Sequence, residues 1–153
     1  MKGMGIGLAI IKQRNNEYME MKKILLADDD ADDREIIERV LGGKNDISLL
    51  QSVENGREVI DYLNKVSSFN ELPDLIILDH NMPRMNGMET LEILKGTPRY
   101  EGIPVVIYST YSDSRIMEKC IFLGAAMVVS KPFTILEYEA TINQFVQLLN
   151  NCD

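Results

Sequence analysis

Four polar clusters, each placed directly after an apolar stretch, carry the groups in this sequence that are best suited to chemistry. They are Asp28-Asp29-Asp30, Asp79, Ser109-Thr110 and Ser130-Lys131-Pro132. Two carboxylates about 4 Å apart repel by about 4 kcal/mol at an effective dielectric constant near 20. If Asp28, Asp29 and Asp79 meet at one site, their repulsion is on the order of 10 kcal/mol unless a cation joins them.

Two cations suit such a site. Lys131 offers an ammonium group on a flexible stem, and Mg²⁺ favours a few carboxylates plus a phosphate while keeping some waters. Carboxylates with a metal, a hydroxyl and a lysine together form a phosphoryl-binding set, because negative charge spreads over the phosphoryl oxygens in the transition state. Asp79 is then the candidate nucleophile. The hydroxyl is Ser109 or Thr110, and the strand register favours Ser109.

Other polar residues near these clusters have simpler interpretations. In an extended backbone the side chain of His80 faces away from that of Asp79, so we interpret His80 as a packing or surface residue and not as a phosphate carrier. We expect Asp32, Asp33 and Glu35 to be solvated charges at the start of a helix, with no ligand role.

The elements that must position these residues alternate along the chain. Apolar segments of strand length are predicted to form strands at 24–27, 47–53, 75–78, 105–108 and 127–129. Amphipathic segments between and after them are predicted to form helices at 34–41, 58–66, 88–94, 112–123 and 135–149.

This strict alternation predicts an α/β fold with right-handed crossovers and helices on both faces of a parallel five-stranded sheet. The natural arrangement is a flavodoxin-like (βα)5 three-layer sandwich with strand order 2-1-3-4-5. Sites in such sheets lie at the carboxyl ends of the strands, near the point where the strand order reverses. The four polar clusters occupy those ends.

Composition narrows the class of protein further. A length of 153 residues fits one globular domain. A net charge of −8 argues against a nucleic-acid partner, since such binding needs a basic face. Cys120 and Cys152 form no CxxC pair, which argues against a disulfide scaffold or a zinc site. The apolar segment 6–11 is too short to span a membrane. We expect a soluble, cytoplasmic protein that binds no membrane.

The motifs resemble those of the receiver domain of two-component response regulators, of the stand-alone, single-domain type, over about residues 22–149. The matching features are the acidic pair Asp28-Asp29, the acceptor segment 76–87, Ser109 and Lys131-Pro132-Phe133. Asp79 and Ser109 are 30 positions apart, and Ser109 and Lys131 are 22 apart, as in that family.

The resemblance implies that Asp79 accepts a phosphoryl group from a phosphohistidine on a sensor histidine kinase or a histidine phosphotransfer protein. Asp28, Asp29, Asp79 and the main-chain carbonyl of Asn81 would hold Mg²⁺. The chain would catalyse only its own phosphorylation and dephosphorylation. It would signal through altered contacts with an unknown downstream protein, and the residues leave both a monomer and a homodimer open.

The resemblance also implies roles around the phosphoryl group. Ser109 would move to hydrogen-bond it, Lys131 would pair with it, and the Lys131–Pro132 peptide would be cis. Val128 stands where the family often has an aromatic switch residue, so the usual coupled swing of hydroxyl and ring cannot operate as described. Two alternatives stay open: phosphorylation biases the face made by the fourth helix and the fifth strand through Ser109, or Tyr108 and Tyr111 take over part of that readout.

Two segments depart from the common receiver pattern. Residues 67–73 are longer than usual and resemble receivers that serve phytochrome-type kinases. Residues 1–21, set apart from a receiver at 22–150, resemble the glycine-rich box of the histidine-kinase ATP lid at 3–10, but without the ATPase domain we expect no nucleotide binding. We expect this leader to be disordered or loosely docked, with Met21 as a candidate start.

Two alternatives stay open from the residues alone. Haloacid-dehalogenase phosphatases also combine an Asp nucleophile with Mg²⁺, a hydroxyl and a Lys, although their nucleophile ends the first strand. A receiver-shaped docking domain that is never phosphorylated is the other alternative.

Overall fold

A computed structural model describes residues 20–110 and 113–151. Its sheet has five parallel strands in the order β2-β1-β3-β4-β5, which confirms the predicted flavodoxin-like fold. The strands are β1 (Lys22–Ala27), β2 (Ile47–Val53), β3 (Leu75–Asp79), β4 (Val105–Ser109) and β5 (Met127–Ser130). Our expectations for residues 1–19, Tyr111 and Cys152 lie outside the described residues.

Five α-helices cover the two faces of the sheet. They are α1 (Ala31–Gly42), α2 (Gly56–Lys65), α3 (Gly87–Gly96), α4 (Ser114–Phe122) and α5 (Ile135–Asn151). Three of them begin earlier than predicted because side chains cap their first turns: Asp30 accepts from the amide of Asp32, Asn55 from that of Glu58, and Asn86 from that of Glu89. No helix in these ranges is long and apolar enough to cross a membrane.

Alternate residues of the central strands enter two separate cores, because side chains in a strand point to opposite faces. Leu25 and Ile76 pack with helices α2, α3 and α4, whereas Ile24 and Ile77 pack with α1 and α5. Every residue of β3 and β4 is buried. The site at the strand ends therefore rests on a sheet that is covered on both sides.

The long segment before β3 is ordered by its own contacts. It contains a short 3-10 helix, Phe69–Glu71, that begins with a capping box between Ser68 and Glu71. The guanidinium of Arg99 lies 5.6 Å from the centroid of the Phe69 ring and donates a hydrogen bond to the carbonyl of Val66. This segment lies at the amino end of β3, away from the acidic residues that end β1 and β3.

Candidate functional site

Three carboxylates meet at the carboxyl ends of β1 and β3. Asp28, Asp29 and Asp79 each offer an oxygen, and these oxygens all lie within 4.8 Å of one another. Asp28 and Asp79 are buried, while Asp29 is exposed. We call these residues the carboxylate cluster. It has hard oxygen donors and one solvent-accessible member through which a cation could enter.

The pairing of the strands brings these acids together. In the register of β1 with β3, Ala27 lies opposite Leu78, so Asp28 and Asp79 follow at adjacent positions. Helix α3 begins unusually close to this point, because a Cβ atom at Gly87 would lie 2.6 Å from the carbonyl oxygen of Asp79. The amide of Gly87 donates to the carbonyl of His80 at 3.0 Å. Only glycine permits this close contact, which fixes the backbone around the acceptor candidate.

Asp28 is held in place by two donors inside the protein. Its Oδ1 accepts from the amide of Asp30 at 2.8 Å, and its Oδ2 accepts from the hydroxyl of Tyr108. Tyr108 is 1% exposed, and its ring comes from β4, across β3. We had considered Tyr108 only as a readout residue. The signal for a site role was its place in a fully buried strand, next to the strand end at Ser109, since a buried tyrosine hydroxyl needs a partner.

Lys131 brings a positive charge to the cluster from the end of β5. Its Nζ lies 3.3 Å from Asp28 Oδ2 and 3.5 Å from Asp79 Oδ2. The same Nζ lies 5.2 Å from the centroid of the Tyr108 ring. Burial alone would lower the pKa of Lys131, but the carboxylates around it raise that pKa overall. Lys131 is thus a permanent cation beside the cluster.

Asp33 also contacts Lys131, which corrects our expectation of a solvated charge. Its Oδ2 lies 2.6 Å from Lys131 Nζ, and its Oδ1 accepts from the Tyr138 hydroxyl at 2.7 Å. The reason is the earlier start of α1, which places Asp33 in the first helical turn, where its side chain reaches both Lys131, just after β5, and Tyr138 of α5. Sequence spacing could not reveal a contact between positions 105 residues apart. Asp32 and Glu35 are exposed, as expected.

Asp79 is the carboxylate whose ionisation is most disturbed. Burial and the nearby charge of Asp28 raise the pKa of Asp79 to about 8, although Lys131 and the amide of Asn81 act in the opposite direction. That amide lies 3.3 Å from Asp79 Oδ1. One lysine therefore does not neutralise the cluster, and a further cation would relieve the remaining repulsion.

A family model of the response regulator receiver domain matches residues 24–143. The chain belongs to this family. As a receiver of two-component signalling, it differs from the haloacid-dehalogenase phosphatases that the residues alone had left open.

Curated relatives include receivers in two settings. The two-component response regulator ARR17 of Arabidopsis thaliana is 32% identical over 123 residues, which cover 76% of this chain and 79% of that protein. A protein-glutamate methylesterase/protein-glutamine glutaminase of Treponema pallidum is 38% identical over 112 residues, or 72% of this chain and 26% of that protein. The receiver thus spans about a quarter of the length of that methylesterase.

Solved structures with the same fold include two response regulators. The phosphorylated cyanobacterial phytochrome response regulator RcpA is 26% identical, with a TM-score of 0.72 over 82% of this chain and 94% of that chain. The Mn²⁺-bound form of response regulator Rcp1 is 25% identical, with a TM-score of 0.72 over 80% of this chain and 90% of that chain.

The hydroxyl candidate of the receiver is Ser109, the last residue of β4. Ser109 is buried and Thr110 is exposed. In the pairing of β4 with β5, Ser109 lies opposite Ser130, and its carbonyl accepts from the amide of Lys131 at 2.8 Å. The backbone therefore fixes Ser109 next to the lysine that contacts the carboxylate cluster.

The Lys131–Pro132 peptide is trans, so the expected cis bond was wrong. No cis peptide occurs in residues 20–110 or 113–151. The trans form of an X–Pro bond is favoured by about 0.5 to 1 kcal/mol unless tertiary contacts impose cis. Here the chain beyond Pro132 is held by Glu137, whose carboxylate accepts from the amides of Phe133 and Thr134 at 2.8 and 3.1 Å.

Two further residues of the receiver take packing positions. His80 is buried, and its Nδ1 has no hydrogen-bond partner within the described part of the chain. Burial lowers the pKa of His80, which favours a neutral imidazole. Val128 is partly buried against the core that contains α2, α3 and α4. It presents no aromatic ring with which Ser109 could move in concert.

Proposed function

We propose that this receiver accepts a phosphoryl group on Asp79 from a phosphohistidine in a Mg²⁺-dependent reaction. The observation that carries the proposal is the meeting of three carboxylates within 4.8 Å with one lysine ammonium against two of them. Repulsion between these carboxylates destabilises the protein when no cation is bound, whereas the same carboxylates can bind a divalent cation together with a phosphoryl group.

The residues present fit Mg²⁺. Asp28, Asp29 and Asp79 supply hard oxygen ligands, and the main-chain carbonyl of Asn81 is a fourth candidate two residues after Asp79. The pKa of Asp79 is raised by burial first and by the charge of Asp28 second, and a bound cation would oppose both effects. When bound, the ion would neutralise charge on the phosphoryl oxygens.

The side chains of the chain itself have distinct tasks in this proposal. A carboxylate oxygen of Asp79 forms the new bond to phosphorus while the bond from phosphorus to the donor's imidazole nitrogen breaks, and the nitrogen keeps the electron pair. Lys131 binds a phosphoryl oxygen through its ammonium, and the Ser109 hydroxyl donates a hydrogen bond to another phosphoryl oxygen. Tyr108 holds Asp28 so that its carboxylate keeps one orientation.

The partners follow from this chemistry. The donor is a sensor histidine kinase or a histidine phosphotransfer protein, and the output is a changed surface for a downstream protein in the cytoplasm. Similarity to a phytochrome response regulator and the long segment 67–73 favour a phytochrome-type kinase as donor.

Phosphorylation can be tested with the purified chain, Mg²⁺ and a small acyl phosphate, read by intact mass. We expect the mass to rise by one phosphoryl group, and Asp79→Asn to abolish the gain. Asp61→Asn is the matched control, because Asp61 is an exposed acid on α2, near Arg57 and away from the site. A gain that survives in Asp79→Asn would assign the acceptor elsewhere. No gain in the wild type would favour the docking domain that is never phosphorylated.

A further inference from the structure

A line of polar contacts leads from the site to the start of α5. The Nζ of Lys131 lies 2.6 Å from Asp33 Oδ2, which is closer than its distances of 3.3 Å to Asp28 and 3.5 Å to Asp79. Asp33 in turn accepts from the Tyr138 hydroxyl at 2.7 Å. The lysine thus contacts the carboxylate cluster directly and α5 indirectly, through Asp33 of α1.

Lys131 can exchange these partners. Its ammonium is a compact charge on a stem of four carbons, so a small rotation moves it between Asp33 and Asp79. A phosphoryl group on Asp79 carries about 1.5 to 2 negative charges on three acceptor oxygens, and it replaces a carboxylate that carried at most one charge. That charge outweighs the single carboxylate of Asp33, which would then lose its ion pair.

Tyr138 is placed to respond when Asp33 loses its ion pair with Lys131. The residue is buried, and it lies in the first turns of α5, where its hydroxyl depends on Asp33 as acceptor. The neighbouring side chains Ile135 and Leu136 are exposed, so they add little packing to hold this end of the helix. Without the charge of Lys131, Asp33 is drawn towards water and the buried hydroxyl loses its acceptor.

We propose that Lys131, Asp33 and Tyr138 form a coupling route that reports the state of Asp79 to the first turns of α5. The inference rests on the proposed function, since phosphorylation is the event that moves Lys131. It gives this receiver a readout that needs no aromatic residue at position 128, where the chain has Val128. Asp33 and Tyr138 act as positioning residues, because neither contacts Asp79 directly.

Hydrogen–deuterium exchange of the full chain tests the route. With Mg²⁺ and a small acyl phosphate, we expect amides in the first two turns of α5 to exchange about fivefold faster in the phosphorylated wild type, as the loss of one charged hydrogen bond allows. Intact mass gives the phosphoryl occupancy of every sample, and variants are compared at equal occupancy.

Two variants interrupt the route at different links. Asp33→Asn keeps an oxygen that can accept from the Tyr138 hydroxyl, but it has no negative charge to pair with Lys131. Movement of Lys131 then no longer affects Tyr138, so α5 should exchange slowly with and without the phosphoryl group. Tyr138→Phe removes the anchor, so α5 should exchange fast in both states. Glu35→Gln is the matched control, since Glu35 is an exposed acid of α1 that pairs with Arg39, and it should retain the fivefold response.

Different failures have different meanings. Phosphoryl uptake without faster exchange in α5 would overturn the coupling route and leave the proposed function intact, as would an unchanged response in Asp33→Asn and Tyr138→Phe. If the wild type takes up no phosphoryl group, the proposed function fails, and Lys131→Gln still tests the route. That variant removes the cation from Asp33, so exchange in α5 should rise about fivefold without any donor. Unchanged exchange in Lys131→Gln overturns the route.

Discussion

The Tyr108 hydroxyl donates a hydrogen bond to Asp28 from a strand that is not adjacent to β1, because β3 lies between them. This bond satisfies the same oxygen of Asp28 that Lys131 approaches. One oxygen of this carboxylate is therefore held by both a neutral donor and a cation, while its neighbours Asp29 and Asp79 complete the cluster.

Tyr108→Phe isolates the contribution of that hydroxyl, since phenylalanine keeps the ring beside Lys131. We expect the free energy of unfolding of the metal-free protein to fall by about 1 to 3 kcal/mol, because a buried carboxylate oxygen loses a donor. Mg²⁺ should restore part of this loss. Denaturant unfolding with and without Mg²⁺ measures both effects.

Tyr100→Phe serves as the control for this experiment, because the Tyr100 hydroxyl donates at 2.8 Å to the neutral amide oxygen of Asn64. Its loss of about 1 kcal/mol should be the same with and without Mg²⁺. If Mg²⁺ restores Tyr100→Phe as fully as Tyr108→Phe, the hydroxyl of Tyr108 has no special relation to the carboxylate cluster.

Asp79→Asn should alter the pH dependence of stability in metal-free protein. The folded chain holds a proton on Asp79 up to a pKa of about 8, whereas the unfolded chain releases it near its ordinary value of 3.8. Asp79 therefore costs the folded state stability as pH rises between those two values. The variant lacks this ionisation, so its melting temperature should exceed that of the wild type at about pH 8, with a smaller excess near pH 5. Thermal melts in a chelating buffer decide the matter, and an equal excess at both pH values would contradict the raised pKa.

Asp29→Asn should weaken Mg²⁺ binding by about tenfold or more, because the cluster loses one full charge within a few ångströms of the ion. Titration calorimetry gives the dissociation constant. Asp30→Asn is a close control, since Asp30 caps α1 and asparagine caps helices equally well. Unchanged affinity in Asp29→Asn would remove that residue from the proposed site.

Gly87→Ala should destabilise the chain by about 1 to 3 kcal/mol, the range for a side chain forced into a packed space. Its Cβ would meet the carbonyl oxygen of Asp79 at 2.6 Å and push α3 away from the strand end. Gly96→Ala, at the other end of α3, meets nothing within 4 Å and should be neutral or slightly stabilising. Comparison of the two unfolding midpoints provides the measurement, and equal midpoints would show that the close contact at Gly87 is unimportant.

The site residues that could be predicted from the sequence are those that directly follow the strands. Apolar segments locate the strands, parallel pairing brings their carboxyl ends to one edge, and the residues that follow them are read directly from the sequence. Asp28, Asp79 and Lys131 were identified in this way. The sheet order followed from the same alternation of strands and helices.

The contacts that were missed depend on helix starts and on the placement of distant side chains. Asp33 was interpreted as a solvated charge because the N-cap role of Asp30, and with it the start of α1 at Ala31, was not recognised. Tyr138 resembles any aromatic residue on the buried face of a helix, and its acceptor lies on α1, 105 positions earlier in the sequence. The expected cis bond at Pro132 rested on the family resemblance alone, and the peptide is trans.

The single histidine of this sequence directly follows Asp79, and its imidazole is buried with a lowered pKa. Its ring protons therefore give the one set of histidine NMR signals that this sequence can produce. The NMR signals of His80 can therefore report the binding of donors, metal ions and partner proteins next to Asp79, without an attached label.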